Sequence, residues 1–203
     1  MAVLRNSPSQ DVTPLVLLVP GTPLAPGHWM NRWAQWSEHC RVVELGLWDE
    51  PHRNTWVNKL NLAILRADRP VVIVTDDIAA LALAWWVEFE AIGAESPVLG
   101  ALIVSPPNVD LPGADARLAR FGACPRNRLP FLSYLVSDPE VPAAERRAAV
   151  RLATDWGSTP VTADLRGDWA QGRELLRPLL GLEPSAGEAR RVESGAPRHF
   201  AGL

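Results

Sequence analysis

Carboxylates stand directly after several apolar runs of this 203-residue chain, where a chemically active side chain is expected. Asp76 and Asp77 follow the run "PVVIVT", Asp138 follows "FLSYLVS", and Asp168 comes shortly after "TPVTADL". Like charges that are brought close together cannot all ionise cheaply, so such a group holds either a shared proton or a cation. The residue types therefore indicate acid/base, nucleophilic or cation-binding chemistry, or a hydrogen-bonded cluster without a chemical role.

Short apolar runs alternate with helix-like segments along most of the chain. The runs are rich in valine and leucine and end at proline, glycine or polar residues, which is typical of strands buried on both faces. The spacing of Trp29, Trp33 and Trp36 places an apolar stripe on one helix face, and these tryptophans are expected to pack against the sheet. The predicted strands are residues 15–20, 41–45, 70–75, 98–107, 131–137 and 159–165, and the predicted helices are residues 28–39, 55–67, 78–91, 143–156 and 172–181.

This alternation predicts an α/β fold with a doubly wound, parallel sheet of about six strands and helices on both faces. Ligands of such sheets bind at the carboxyl ends of the strands. The sequence therefore predicts that Asp77, Asp138 and Asp168 converge at one edge, with Asp76 close by.

Composition restricts the class of partner. The net charge is −3 and the pI is near 5.8, which does not favour nucleic acid. The longest apolar run, residues 78–87, is shorter than the ~20 residues that a membrane-spanning helix needs. With no apolar leader after the N-terminal arginine, we expect a soluble, cytoplasmic protein. One domain is predicted over residues 1–182, with a flexible lead-in at 1–13 and a flexible arm at 183–203.

Six segments together resemble a known family: "LLVPGTPLAPGHWMNRW", "LWDEPHRNTWVNKL", "RPVVIVTDDIAALALAWW", "GALIVSPPNVD", "RLPFLSYLVSDPEVP" and "RLATDWGSTPVTADLRGDWAQG". They look like the small α/β-hydrolases of the retinoblastoma-binding-protein-nine and YdeN type, which are serine hydrolases. The resemblance implies the α/β-hydrolase fold with strand order 2-1-3-4-5-6.

The same resemblance assigns family positions to the carboxylates. It implies that Asp77 stands at the nucleophilic serine, Asp76 at the histidine before it, Asp138 at the triad acid and Asp168 at the triad histidine. An ordinary aspartate has a pKa of about 3.9 and is a weak base at neutral pH. Esterase-like serine chemistry is therefore expected to be lost.

Further residues are implied around the same site. Thr22 stands where the family's first oxyanion amide is found, and Ile78 would supply the second. His28 either faces the pocket or packs at the start of a helix. Trp48 and Trp169 follow strands and could line the mouth of the pocket.

Besides a structural class, in which tryptophan side chains fill the site and leave no open pocket, two classes of function remain open at this stage. The first is a pseudoenzyme without cofactor that binds a small molecule or a protein partner, for which a second copy of the chain or an active paralogue is a candidate. The second is a hydrolase with changed chemistry. Asp77 would then be the nucleophile, or Asp77, Asp138 and Asp168 would share a proton or hold a cation, with Asp77 and Asp168 as its ligands.

Overall fold

The computed structural model describes residues 13–90, 96–111, 113, 115–167 and 169–182. The predicted arm at 183–203, most of the predicted lead-in and Asp168 lie outside the described residues.

The described chain forms one six-stranded parallel sheet with the order β2-β1-β3-β4-β5-β6. The predicted fold class and strand order are confirmed. Residues Val71–Val74 of the central strand are fully buried, which explains why that segment is an unbroken apolar run. The strands are β1 Leu15–Val19, β2 Cys40–Val42, β3 Val71–Asp76, β4 Val98–Val104, β5 Leu132–Ser137 and β6 Thr159–Thr162.

Five α-helices and one short 3-10 helix, η1, pack around the sheet in the described part of the chain. Helix α4 shows how local sequence sets an end: it stops at Gly157, whose φ of 67° is left-handed and suits glycine. The helices are α1 Trp29–Trp36, α2 Arg53–Leu65, α3 Ala79–Glu90, η1 Ala116–Arg120, α4 Ala143–Trp156 and α5 Ala170–Leu179.

Two apolar layers cover the two faces of the sheet. One contains side chains of α2, α3 and α4, and the other contains side chains of α1 and α5. Trp33 is fully buried in the second layer, as expected. The expectation for Trp36 is wrong: it is 62% exposed at the last position of α1, where the Arg173 guanidinium lies over its ring.

Four non-glycine residues of the described chain have left-handed backbone, and each comes after a strand. They are Leu47, Asp77, Ser105 and Trp169. Such conformations cost free energy and gather at functional sites. Among the described residues there is no helix long and apolar enough to cross a membrane.

Candidate functional site

A sharp turn joins β3 to α3. Strand β3 ends at Asp76 and α3 begins at Ala79, so only Asp77 and Ile78 lie between them. Asp77 has φ 52°, and its amide donates to the Val104 carbonyl oxygen at 3.0 Å. Strained strand-to-helix turns of this kind present the nucleophile in α/β-hydrolases, and we call this turn the elbow.

Gly21 packs directly against the backbone of the elbow. A Cβ atom at Gly21 would lie 2.6 Å from the Asp76 carbonyl oxygen and 2.8 Å from the Ile78 nitrogen. Both are backbone atoms that cannot swing away. The loop after β1 therefore needs glycine here, and this contact fixes its position beside the elbow.

The Asp77 carboxylate is held by an arginine from a distant part of the chain. Nη2 of Arg117, on η1, lies 2.7 Å from Oδ2 of Asp77. Nη1 of the same guanidinium donates to the Gly21 carbonyl oxygen at 3.1 Å. Arg117 thus bridges the elbow and the loop after β1.

Asp115 orients this guanidinium. Its Oδ2 lies 2.6 Å from Nη2 of Arg117, and Nε of Arg117 donates to both carboxylate oxygens at 3.1 and 3.0 Å. The Asp115 side chain also accepts the Arg117 backbone N–H, capping η1. These bonds lower the pKa of Asp115 and, with the Asp77 bond, raise the pKa of Arg117. Arg117 is a fixed cation.

Burial controls the charge of Asp77. Its pKa is raised, chiefly because burial disfavours the carboxylate, while the Arg117 pair and a hydrogen bond from the Ile78 N–H oppose that rise. The side chain keeps 28% of its surface exposed. Ile78 directly follows Asp77 at the turn and is fully buried, and its role as an oxyanion donor stays a prediction.

The second elbow carboxylate, Asp76, pairs with His28. Nε2 of His28 lies 3.3 Å from Oδ2 of Asp76, and Nδ1 of His28 accepts the Met30 N–H at 3.2 Å and so caps α1. An imidazole nitrogen that accepts carries no proton, so these bonds assign the proton to Nε2. His28 therefore combines both expected roles, since it starts the helix and also faces the elbow.

Asp138 interacts with backbone groups after β5. Oδ1 accepts the Glu140 N–H at 2.8 Å, and the Leu165 N–H points at Oδ2 from 3.5 Å. The convergence with Asp168 stays a prediction, because Asp168 lies outside the described residues. Within the described part of the chain, no three His, Cys, Asp or Glu side chains are grouped so that they could hold a metal ion.

The remaining predicted pocket residues differ in their surroundings. Thr22 is half-buried next to Gly21, and Trp48 is half-buried against the ring of Trp56. Trp169 is only 1% exposed, stacked on Trp33 at 5.3 Å. The expectation that Trp169 lines an open pocket is therefore wrong, because its ring fills the core between α1 and α5.

Sequence reasoning missed Arg117 and Asp115. They lie in the irregular stretch between β4 and β5, where no apolar period points a side chain in a given direction. The one available signal is the Asp-x-Arg spacing, which lets a capping carboxylate accept hydrogen bonds from an arginine two residues later.

A profile of the serine hydrolase family matches residues 16–171. The chain belongs to this family. No curated protein sequence matches it. Among solved structures, a candidate YdeN-like hydrolase of Pectobacterium atrosepticum superposes with a TM-score of 0.66 at 20% identity, covering 83% of this chain and 91% of that one. The ydeN gene product of Bacillus subtilis gives a TM-score of 0.55 at 13% identity, with 90% and 97% covered. These likenesses show the α/β-hydrolase fold.

Proposed function

We propose that this protein is a serine hydrolase homologue that has lost the covalent chemistry of its family and binds a small molecule or a protein partner at the elbow. The observation that carries this proposal is the ion pair between Asp77, at the left-handed elbow position, and Arg117 at 2.7 Å. In this proposal Asp77, Asp138 and Asp168 occupy the family's serine, acid and histidine positions.

The elbow offers no hydroxyl to attack an ester. A serine nucleophile is activated when a base removes its proton, and it needs free amides nearby to stabilise the oxyanion. Here a carboxylate occupies the position, and its Oδ2 is paired with Nη2 of Arg117 at 2.7 Å.

A base to replace the family histidine is also missing from the neighbourhood described around Asp77. His28 is the histidine beside the elbow, but it donates from Nε2 to Asp76 and accepts at Nδ1 from Met30. Neither nitrogen has a free lone pair for a water molecule. His28 therefore cannot act as a general base without breaking the cap of α1.

The same contacts disfavour the changed-chemistry alternative. An attacking Asp77 would form an ester that water must cleave, and such hydrolysis needs a base. Its Oδ2 is already bound to Arg117, and both oxygens of Asp138 face backbone amides. A fixed guanidinium at Asp77 also takes the place that a cation would need.

A fluorophosphonate probe and p-nitrophenyl acetate test the proposal together. We expect no labelling of the wild-type protein and no ester hydrolysis above the buffer rate. The double variant Asp77→Ser/Asp168→His restores hydroxyl and imidazole at the assigned positions, so it is expected to gain labelling at residue 77.

Labelling of any residue of the wild-type protein would contradict the proposal. So would ester turnover that disappears in Asp77→Asn, because that result would make Asp77 a working nucleophile. Turnover that persists in Asp77→Asn would place hydrolysis elsewhere on the chain and would equally end the assignment as a pseudoenzyme.

A further inference from the structure

A short segment crosses the carboxyl edge of the sheet above the elbow. We call residues 115–121 the strap; it consists of the cap Asp115, the 3-10 helix η1 and Phe121. One part of it contacts the elbow after β3, and another contacts the loop and helix that follow β2. The strap therefore spans three neighbouring strand ends, those of β2, β1 and β3.

The end of the strap at Phe121 is anchored by apolar packing. Phe121 is fully buried, with its ring 5.6 Å from that of Trp56 on α2. Nη1 of Arg53 donates to the Phe121 carbonyl oxygen at 3.3 Å. Removing a buried phenylalanine from such a core is costly, so this end stays in place.

The other end is held by the ion pair of Arg117, and between the two ends the partly buried side chain of Leu118 packs against the core. Arg117 binds Asp77 and the Gly21 carbonyl oxygen, and these side chains are only partly buried. Burial raises the pKa of Asp77, so ionisation of that partner is itself disfavoured. An ion pair of this kind is weaker than the apolar anchor and is screened by salt.

Glycines with left-handed backbone flank the strap. Gly113 has φ 81° and Gly122 has φ 71°. A Cβ at Gly113 would meet nothing within 4 Å. Glycine tolerates large changes of φ and ψ, which is what a hinge needs.

We propose that the strap is a lid on the elbow, latched by Arg117 to Asp77 and anchored at Phe121. In the latched state Arg117 covers Oδ2 of Asp77, and a ligand reaches that oxygen only when the Arg117 end lifts. The lid rests on the proposed function in one respect, namely that the elbow is the surface that a ligand contacts. The contact between Arg117 and Asp77 then controls access to that surface.

Carbodiimide footprinting with glycine ethyl ester measures access to each carboxyl group of the folded protein, read by peptide mass spectrometry. In the wild-type protein we expect Asp77 to be modified far more slowly than Asp68, whose side chain is 77% exposed. Arg117→Ala should speed modification of Asp77 about tenfold, the factor expected for loss of a charge-assisted hydrogen bond. Asp115→Asn, which loosens Arg117 without touching Asp77, should act in the same direction.

Arg120→Ala is the matched control, because Arg120 lies on the same strap but pairs with Glu50 rather than with the elbow. Its Asp77 should react at the wild-type rate. Amide hydrogen exchange is the second readout, since it does not depend on the protonation of Asp77. Residues 116–120 should exchange faster in Arg117→Ala, while β3 should not.

Two results would overturn the lid. The first is wild-type Asp77 reacting as fast as Asp68. The second is unchanged exchange of residues 116–120 in both Arg117→Ala and Asp115→Asn. Either result leaves the fluorophosphonate experiment unaffected, so the lid can fail while the proposed function stands.

Discussion

At the scale of single residues, Asp77 and Arg117 form an ion pair in which each side chain compensates the charge of the other. A carboxylate at Asp77 without a cation would be a partly buried unpaired charge, and Arg117 without Asp77 would lose one of its two acidic partners. The pair joins residues 40 positions apart in the chain. We infer that the charge of Asp77 is tolerated because Arg117 compensates it.

Gly21 gives a residue-scale prediction about stability. Gly21→Ala should lower the free energy of unfolding by about 1–3 kcal/mol, because the new Cβ would collide with backbone atoms of the elbow. Urea denaturation measures this change. Gly27→Ala is the control, since a Cβ at Gly27 would meet nothing within 4 Å, and we expect its midpoint to stay near the wild-type value. Equal midpoints for the two variants would refute the close approach.

The sequence predicted the position of Asp76 and Asp77 at the end of β3, but it did not predict the arginine that binds Asp77. The place of Asp76 and Asp77 is a local property, because an apolar run followed at once by a helix former leaves only a tight turn between them. The partner Arg117 could not be predicted, since its approach depends on the path of an irregular loop. His28 was ambiguous for another reason: one imidazole has two nitrogens, and each serves one of the two expected roles.

At the scale of elements, the sequence pattern predicted the six strands and the five α-helices of the described chain, with ends that moved by a few residues, whereas η1 lies in a stretch without an apolar period. Helix α4 begins and ends where it was expected, because Gly157 stops it. The periodic pattern failed at Trp36, which shares the helix stripe with Trp33 but is exposed and lies outside the buried layer. Periodicity gives a direction on the helix and cannot tell where the neighbouring layer ends.

Helix α1 therefore carries a matched pair for an element-scale prediction. Trp33→Ala should cost about 3–5 kcal/mol of unfolding free energy, because Trp33 is fully buried against Trp29 and Trp169. Trp36→Ala should change it by at most about 0.5 kcal/mol, because most of that ring is in solvent. Thermal unfolding of the two variants compares them directly. Similar losses would mean that Trp36 is covered in solution.

At the scale of the whole molecule, the carboxylates respond to pH with opposite signs. The pKa of Asp110 is lowered by hydrogen bonds from Arg151 and Arg126, and the pKa of Asp115 is lowered by Arg117. Such groups stabilise the fold above their unfolded pKa of about 3.9, and that stability is lost as the pH falls through the folded value. Asp77 is the opposite case, since its raised pKa means that the folded protein binds the proton more tightly.

The stability of the protein should therefore pass through a maximum at mildly acidic pH. Going down from pH 7, protonation of Asp77 relieves the cost of a buried charge, so its contribution grows until the pH reaches about 3.9, the unfolded value. Below that, Asp110 and Asp115 lose their ion pairs. Urea unfolding between pH 7 and pH 3 measures the free energy of unfolding along both limbs of this curve, namely the rise from pH 7 to about 3.9 and the loss below that pH.

Two substitutions separate the limbs. Asp77→Asn should flatten the rise between pH 7 and pH 4, and wild-type and variant curves that run parallel there would contradict a raised pKa. Asp110→Asn should weaken the loss below pH 4 by about 0.2–1 kcal/mol, the usual range for a surface pair. Asp68→Asn is the control for that limb. Asp68 binds its chain neighbour Arg69, a contact that the unfolded chain can also make, so its loss should leave the acid limb unchanged.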